Sequence, residues 1–462
     1  MKLTKKSDRL GTEPIVPLLL KLSIPSIIGM AIQALYNVVD SIYIGNLSKE
    51  ALSALSLAFP LQMILIAVAV GTGIGTSSLI SRLLGQDKDH EANNAAEHSI
   101  LLAFVYGIVF AIVGFTLSKF LFNRLTDVPI FAELGTRYIR IIFIGSIAMF
   151  IPMISNNILR GEGNTLVPML TMLIGAIINI ILDPFLIFGL WIFPRLGVEG
   201  AAVATVLARI ISGIFILFVL FSDKNQLKLK PSEFSFDFEI IKSIYKVGLP
   251  AMVMQFLASI MIMGVNTIVG HYNALAIAVV GIYFRLQSFV FMPVFGLNQG
   301  YIPIIGYNYG HGKPDRMKKT IKYGILIAFL FTSSGFLLFQ FLPRTLVTMF
   351  NQDPELVKIG TTALKRISLA FPIIGPAIVG STTFQAIGKG LPSLLLSLLR
   401  QLILLLPIMY LLGVIGGLDL LWFAFPIAES ISAVLMIFWL GSSLKKIFSE
   451  MKDNNKSVAT NQ

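Results

Sequence analysis

The fold class that the amino-acid sequence predicts is an all-α membrane protein: twelve transmembrane helices in two six-helix bundles related by an internal parallel repeat. Three observations predict it. Apolar runs of about 20 residues or more recur from end to end, long enough to span a bilayer. Only 13% of the 462 residues are charged, against 55% hydrophobic, and a soluble chain carries about twice that charged share. The two halves also repeat glycines and prolines at one constant interval.

The runs place helices near 15–45, 51–80, 95–122, 130–158, 164–190, 198–222, 240–270, 274–306, 318–345, 355–385, 391–415 and 418–446. Lipid offers backbone N–H and C=O groups no partner, so spans must be helices or closed barrels. Apolar and polar residues do not alternate along these runs, which excludes a barrel. No segment is polar enough to form a second, soluble domain. The segment after the polar stretch Met1 to Glu13 has no small-residue cleavage site, so the first span is expected to insert and stay.

An even number of spans puts both termini on one side. Lys and Arg favour the loops on that side by roughly two to one, which makes it cytoplasmic. The same placement explains the net charge of +12: the cations sit in short loops, so no nucleic-acid partner is expected. With no cysteine there is no disulfide or thiolate chemistry. The basic stretch Lys224 to Lys246 reads as the cytoplasmic loop between the halves. The organisation expected is a six-helix lobe over 1–222, a linker over 223–239, a second lobe over 240–446, and a polar, unstructured tail over 447–462.

Pro25 pairs with Pro250, Gly45 with Gly270, Gln62 with Gln287, Gly71 with Gly296, Gly75 with Gly300, Gly85 with Gly310, Lys88 with Lys313 and Gly163 with Gly388, all at one interval. Gly197 and Gly417 form a later pair shifted by a small indel. Six helices per half give both halves the same topology. Such parallel repeats put a cavity between lobes that rock between two states, an inference by fold-level analogy.

Polar residues inside the spans mark the candidate site. Asp40 lies in LYNVVDSIYIG of span one and Asp183 in AIINIILDPFLIF of span five. An aspartate deep in a span costs about 2.5–3.5 kcal/mol on insertion scales. Asn179 is one helical turn from Asp183 on the same face, and Thr205 lies about two turns into span six. At about 1.5 Å per residue the four fall at a similar depth. Four such oxygen-bearing side chains suit a Na⁺ ion, and buried carboxyls suit a shared proton. The repeat positions of the two acids are Val265 and the stretch Leu406 to Ile408, so the second half lacks both. That asymmetry assigns ion coupling to the N-terminal lobe; a purely structural role for the two acids is the competing reading.

Gln33, Tyr36 and Asn37 lie within two turns of Asp40 and are read as cargo-binding residues together with it. Pro25, about four turns below Asp40, is the candidate hinge, and Pro184 a static kink. Asn156 and Asn157 read as packing or capping residues. Arg209, Arg285, Arg400 and Glu429 are further intramembrane charges, read as structural pairs, with Arg209 and Glu429 at equivalent repeat positions. GTGIGTSS at Gly71 lies inside a span and reads as close helix packing rather than a nucleotide loop. AIGKG at Gly388 is not a P-loop, since Thr383 stands where the first glycine belongs. His90, His98, His271 and His311 show no metal spacing.

Together, LSIPSIIGMAIQALYNVVDSIYIG, GTSSLISRLLGQ, LRGEGNTLVPM, INIILDPFLIFG, GVEGAAVATVLA, FRLQSF, PIIGYNYG and FQAIGKG resemble the MATE (multidrug and toxic compound extrusion) family, its DinF-like branch in particular, from about Leu18 to Lys446. The resemblance implies a secondary-active multidrug efflux antiporter, not an enzyme. It would exchange H⁺ or Na⁺ for organic, often cationic, compounds by alternating access, without a cofactor. Asp40 would be the principal ion-coupling carboxylate, with Asn179, Asp183 and Thr205 completing the ion site (the metal ligands if the ion is Na⁺) and Pro25 the bending point. Some relatives carry coupling acids in spans seven and ten. This chain has no Asp or Glu between Glu239 and Asp315, nor in the tenth span beyond Glu355. The chain is expected to work as a monomer in the cytoplasmic membrane, with both termini inside. A lipid or polysaccharide-precursor flippase of a related superfamily is the alternative, and an uncoupled channel or scaffold a third.

Overall fold

A computed structural model describes residues 7–222 and 225–460. A short α1 (Asp8–Thr12) leads into α2 (Ile15–Leu47), α3 (Lys49–Gly85), α4 (Asp89–Leu125), α5 (Pro129–Ile144), α6 (Ile147–Gly161), α7 (Leu166–Phe188) and α8 (Val198–Leu220). The second half holds α9 (Phe238–Tyr272), α10 (Ala274–Gly310), α11 (Pro314–Phe341), α12 (Pro343–Thr348), α13 (Pro354–Ile367), α14 (Phe371–Ala386), α15 (Gly390–Leu398), α16 (Leu405–Leu421) and α17 (Ala424–Thr460). A 3-10 turn, Ser368–Ala370, joins α13 to α14, and a π-helical stretch, Leu399–Leu404, joins α15 to α16. No strand occurs among the described residues.

Among those residues, eleven helical segments are long and apolar enough to cross a membrane, or twelve if one bent pair is a single span. That pair is α5 and α6, bent by 51°, where the sequence predicts one helix over 130–158. Gly145 and Ser146 sit at the bend, and a Gly/Ser pair is a recognised cause of such kinks. The Ser146 hydroxyl donates to the Gly107 carbonyl of α4 at 3.0 Å, outside its own helix. Two other expectations are corrected. α17 runs to Thr460, so the stretch read as an unstructured tail is helix, with residues 461 and 462 outside the described region. The basic stretch read as loop becomes helix from Phe238, and its first residue, Lys224, lies outside the described residues. Ile108, Ile112 and Phe115 leave an apolar stripe of α4 exposed, the face expected to meet lipid.

The repeat appears in the backbone. Ser48 and Asn273, at the repeat interval, are the N-caps of α3 and α10; each side chain accepts an amide N–H, from Ala51 at 3.0 Å and Leu275 at 2.8 Å. Left-handed residues recur likewise: Asp87 (φ 58°) with Gly312 (φ 68°), Gly163 (φ 87°) with Gly388 (φ 82°), and Gly197 (φ 59°) with Gly417 (φ 61°). A side chain is strained there and glycine is not. Asp87 is the exception, and Asp tolerates this region better than most residues.

The chain divides into two compact units. One contains Ile24–Gly248 and the segment ending at Arg9; the other contains Leu10–Ser23 and the chain from Leu249 onward. The first turns of α2 therefore belong to the second unit, and those of α9 to the first. Glycines make this possible. In the first unit a Cβ on Gly75 would collide with the Ile244 carbonyl, and one on Gly248 would meet the Gly71 carbonyl oxygen at 2.9 Å. In the second unit a Cβ on Gly300, the repeat partner of Gly75, would meet the Leu22 side chain at 2.8 Å. The GTGIG segment is thus a helix-packing surface, as its sequence predicts. The second unit's core gathers Tyr283, Phe291, Phe339, Phe371, Trp422 and Phe425, with Phe371 edge-on to Phe339 at 5.0 Å and to Phe291 at 5.2 Å.

Gly75→Leu is expected to destabilise the protein by about 1–3 kcal/mol or more, the range for overpacking, because the obstruction is backbone. Thermal unfolding in detergent checks this: Gly75→Leu should melt well below wild type, and Gly281→Leu, where a Cβ meets nothing within 4 Å, should melt close to it.

Candidate functional site

The polar constellation lies wholly within the first unit, on α2, α7 and α8. Asn179 and Asp183 occupy one face of α7 a turn apart, and the Asn179 amide donates to Asp183 Oδ1 at 3.3 Å. The same amide nitrogen lies 3.4 Å from Thr205 Oγ1 on α8. These are long bonds, near the limit for the geometry. Gly200 of α8 abuts the Leu186 backbone, and Ala201, Ala204 and Ala208 line the buried face of α8. Small residues let the two helices close on each other. Pro184 supplies no amide to the Ile180 carbonyl, so α7 lacks one backbone bond beside Asp183.

Asp183 has no exposed surface, Asn179 keeps 2% and Thr205 6%. Three oxygens here are buried without a hydrogen-bond partner: Asp183 Oδ2, Asn179 Oδ1 and Asp40 Oδ1. Burying an unsatisfied carboxylate oxygen is costly. Asp40 and Asp183 lie within electrostatic reach of each other. Arg209 of α8 lies within electrostatic reach of Asp40 and of the Tyr36 hydroxyl, yet makes no ion pair of 4 Å or less among the described residues. Tyr138 of α5 is buried within reach of Asp40 and Tyr36, and its hydroxyl accepts from Gln62 of α3 at 3.1 Å.

Of the other expected site residues, Tyr36 sits one turn before Asp40 on α2, half-buried. Gln33 approaches Asn37 Oδ1 at 3.5 Å, and Asn37 is exposed. Pro25 lies inside α2, which continues through it without a break. Asn157 donates to its own helix at the Met153 carbonyl (2.8 Å) and packs on Gly73, in keeping with a packing role. The expected group of Asp40, Asn179, Asp183 and Thr205 thus shares one unit, and Arg209, Tyr138 and Gln62 join it. Tyr138 left no mark in the sequence, since a tyrosine in an apolar run looks like ordinary span material, and Gln62 stood out only as the repeat partner of Gln287.

The second unit is built differently. Arg400, on the π-helical stretch, donates from Nη1 to Glu429 of α17 at 3.1 and 3.5 Å. Tyr283 of α10 is within electrostatic reach of both, and its hydroxyl is buried without a partner. A π-helical turn shifts the register of the side chains that follow, and Arg400 stands on one. The residue paired with Glu429 is therefore Arg400; Arg209, at the equivalent repeat position, is in the other unit. Arg285 is exposed.

The family model MatE matches the chain twice, over residues 25–185 and 250–411, one match in each half. A FAD transporter of Shewanella oneidensis is 28% identical over 92% of this chain and 95% of that protein. The multidrug export protein MepA of Staphylococcus haemolyticus is 29% identical over 90% and 91%. The crystal structure of a MATE protein in the bent conformation superposes with a TM-score of 0.91 at 29% identity, covering 98% of this chain and all of that one.

The Arg400–Glu429 pair yields a stability test. Arg400→Met leaves a buried carboxylate alone and is expected to cost about 3–5 kcal/mol. Arg400→Met with Glu429→Leu removes both charges and should recover most of that loss. Thermal melting of wild type, each single variant (Arg400→Met, Glu429→Leu) and the double variant, run as a double-mutant cycle, measures the coupling.

Proposed function

The chain belongs to the MatE family of membrane transporters, and we propose that it is a secondary-active efflux antiporter, exchanging H⁺ or Na⁺ for small organic compounds across the cell membrane. The supporting observation is the oxygen cluster of the first unit. Asp40 and Asp183 each keep one buried oxygen without a partner among the described residues, and Asn179 keeps a third. A carboxylate held this way gains from any small cation that arrives, because the arrival relieves desolvated charge. A proton needs one such oxygen. A Na⁺ ion prefers several hard oxygen donors, and Asp40, Asn179, Asp183 and Thr205 offer them.

Asp40 couples ion to cargo in this reading. Gln33, Tyr36 and Asn37 share its helix and meet the cargo beside it; ion and cargo compete for the aspartate, so one leaves as the other binds. Arg209 keeps Asp40 from standing as an isolated charge between the two occupancies. Pro25 is the bending point of α2, where a missing backbone bond lowers the cost of flexing. Inward movement of one charge supplies about 2.3 kcal/mol per 100 mV, and each pH unit about 1.4 kcal/mol. Both termini lie in the cytoplasm, on the side rich in Lys and Arg, and the chain works as a monomer. The cargo class is small organic molecules: relatives of near-equal identity bear the names multidrug export protein and FAD transporter.

Vesicles loaded with fluorescent cargo and given an imposed pH or Na⁺ gradient test the proposal. Wild type should transport against the cargo gradient under one of the two ion gradients. Asp40→Asn should lower gradient-driven efflux at least a hundredfold while melting near wild type. Thr205→Ala should weaken Na⁺-driven efflux about tenfold if Na⁺ is the ion, and leave H⁺-driven efflux nearly unchanged. Full efflux by Asp40→Asn would remove the assignment.

A further inference from the structure

The linker between the two halves lies along one face of α4, held by side chains that meet its backbone. Asn93 Oδ1 accepts from Lys228 N at 2.9 Å, and Glu97 Oε1 from Lys230 N at 2.7 Å. The Asn94 amide donates to the Ser235 carbonyl at 2.9 Å. At the C-cap of α6, Glu162 Oε2 accepts from Leu227 N at 3.3 Å. The last stitch is His98. Its ring has no exposed surface and packs on Phe234 and Phe236, at centroid distances of 4.8 and 5.5 Å. Its Nε2 accepts the Asp237 amide N–H at 2.8 Å, and its Nδ1 lies 2.8 Å from the Asn94 carbonyl oxygen.

Those two contacts fix the protonation state. A backbone amide can only donate, so Nε2 must carry a lone pair. A carbonyl can only accept, so Nδ1 must carry the hydrogen. The latched form is therefore the neutral Nδ1–H tautomer. An imidazolium carries a proton on both nitrogens, and its Nε2–H would point at the Asp237 N–H. Glu97 on α4 lies within electrostatic reach of the ring; the other charged groups on the adjoining stretches are His90 on α4, Lys230, Glu233 and Asp237 on the linker, and Glu239 at the head of α9. Glu97 Oε1 accepts from Lys230 N and the Asp237 carboxylate from Glu239 N at 2.8 Å. The hydrogen-bond contacts of the ring nitrogens are the Asn94 carbonyl and the Asp237 amide, so no carboxylate meets the Nε2–H in this geometry.

We infer that His98 is a pH-sensitive latch: neutral, it ties the inter-lobe linker to the first unit, and protonated, it releases it. The sign follows from linkage. The latched state excludes the extra proton and the released state admits it, so acid favours release. Once the freed ring takes up a proton, each further pH unit of acid should weaken latching tenfold, the slope for one proton. Release frees the stretch from Leu227 to Asp237 from its ties to α4. The latch is independent of the coupling ion and of the Asp40 site, so Asp40→Asn should keep it.

Hydrogen exchange of the full-length protein in detergent tests this between pH 8 and 5.5, with rates corrected for intrinsic exchange. In wild type, protection over residues 227–237 should hold near pH 8 and fall toward pH 5.5, approaching about tenfold per unit. Residues 302–307, buried in α10, should stay protected throughout. His98→Gln, whose amide oxygen accepts the Asp237 N–H at any pH, should flatten the profile. Glu97→Gln should keep the wild-type slope. A flat wild-type profile, a slope that survives in His98→Gln or vanishes in Glu97→Gln, or parallel loss over 302–307 would overturn the inference.

Discussion

Hydrocarbon supplies no hydrogen bonds, and the organisation of this chain follows from that constraint. Backbone groups close on themselves in helices. Serines and threonines inside the spans return their hydroxyls to carbonyls a turn earlier, as Thr171, Ser99 and Thr332 do. Helices that must approach closely do so at glycines, where no side chain keeps the backbones apart. Against this background the unsatisfied oxygens of Asp40, Asp183 and Asn179 fall together in one unit and include two carboxylates, while the buried polar atoms without a partner at Asn266, Tyr283, Asn298 and Gln401 belong to uncharged side chains.

The two units solve the problem of intramembrane charge in opposite ways. In the second, Arg400 and Glu429 neutralise each other at contact distance, a closed arrangement costly to break from one side. In the first, Arg209 stands within reach of Asp40 and Tyr36 without closing an ion pair among the described residues. That arrangement is open: Asp40 is influenced by a cation but not saturated by one. A repeat that preserves caps, turns and packing glycines while diverging here has kept its scaffold and altered its chemistry. Selection for folding alone gives no reason for the difference.

Much of the fold was legible in the sequence because lipid leaves a coarse signal. Long apolar runs read as spans, and glycines and prolines at one interval read as a repeat, since both depend on residue type more than on context. The unpaired acids were legible for the same reason: a charge inside an apolar run stands out. What escaped needed three dimensions. The break between α5 and α6 turns on Gly145 and Ser146, two small residues among many in the chain. The Gln62–Tyr138 bond joins residues 76 apart. The polar start of α4, which looks like a solvated helix end, is the surface that carries the linker. His98 lacked metal spacing and so appeared idle, because its partner is a backbone amide that no motif records.

The exchange of first turns bears on how such a chain came to be. The opening turns of α2 complete the second unit and those of α9 complete the first, with the same glycine positions receiving them in each. A half-length polypeptide would hold a vacant groove and an orphaned leading segment, and a second copy would supply both. The tandem chain carries within one polypeptide the segment exchange that two domain-swapped half-length copies would make, and its covalent joint spares the encounter by collision that separate copies would need.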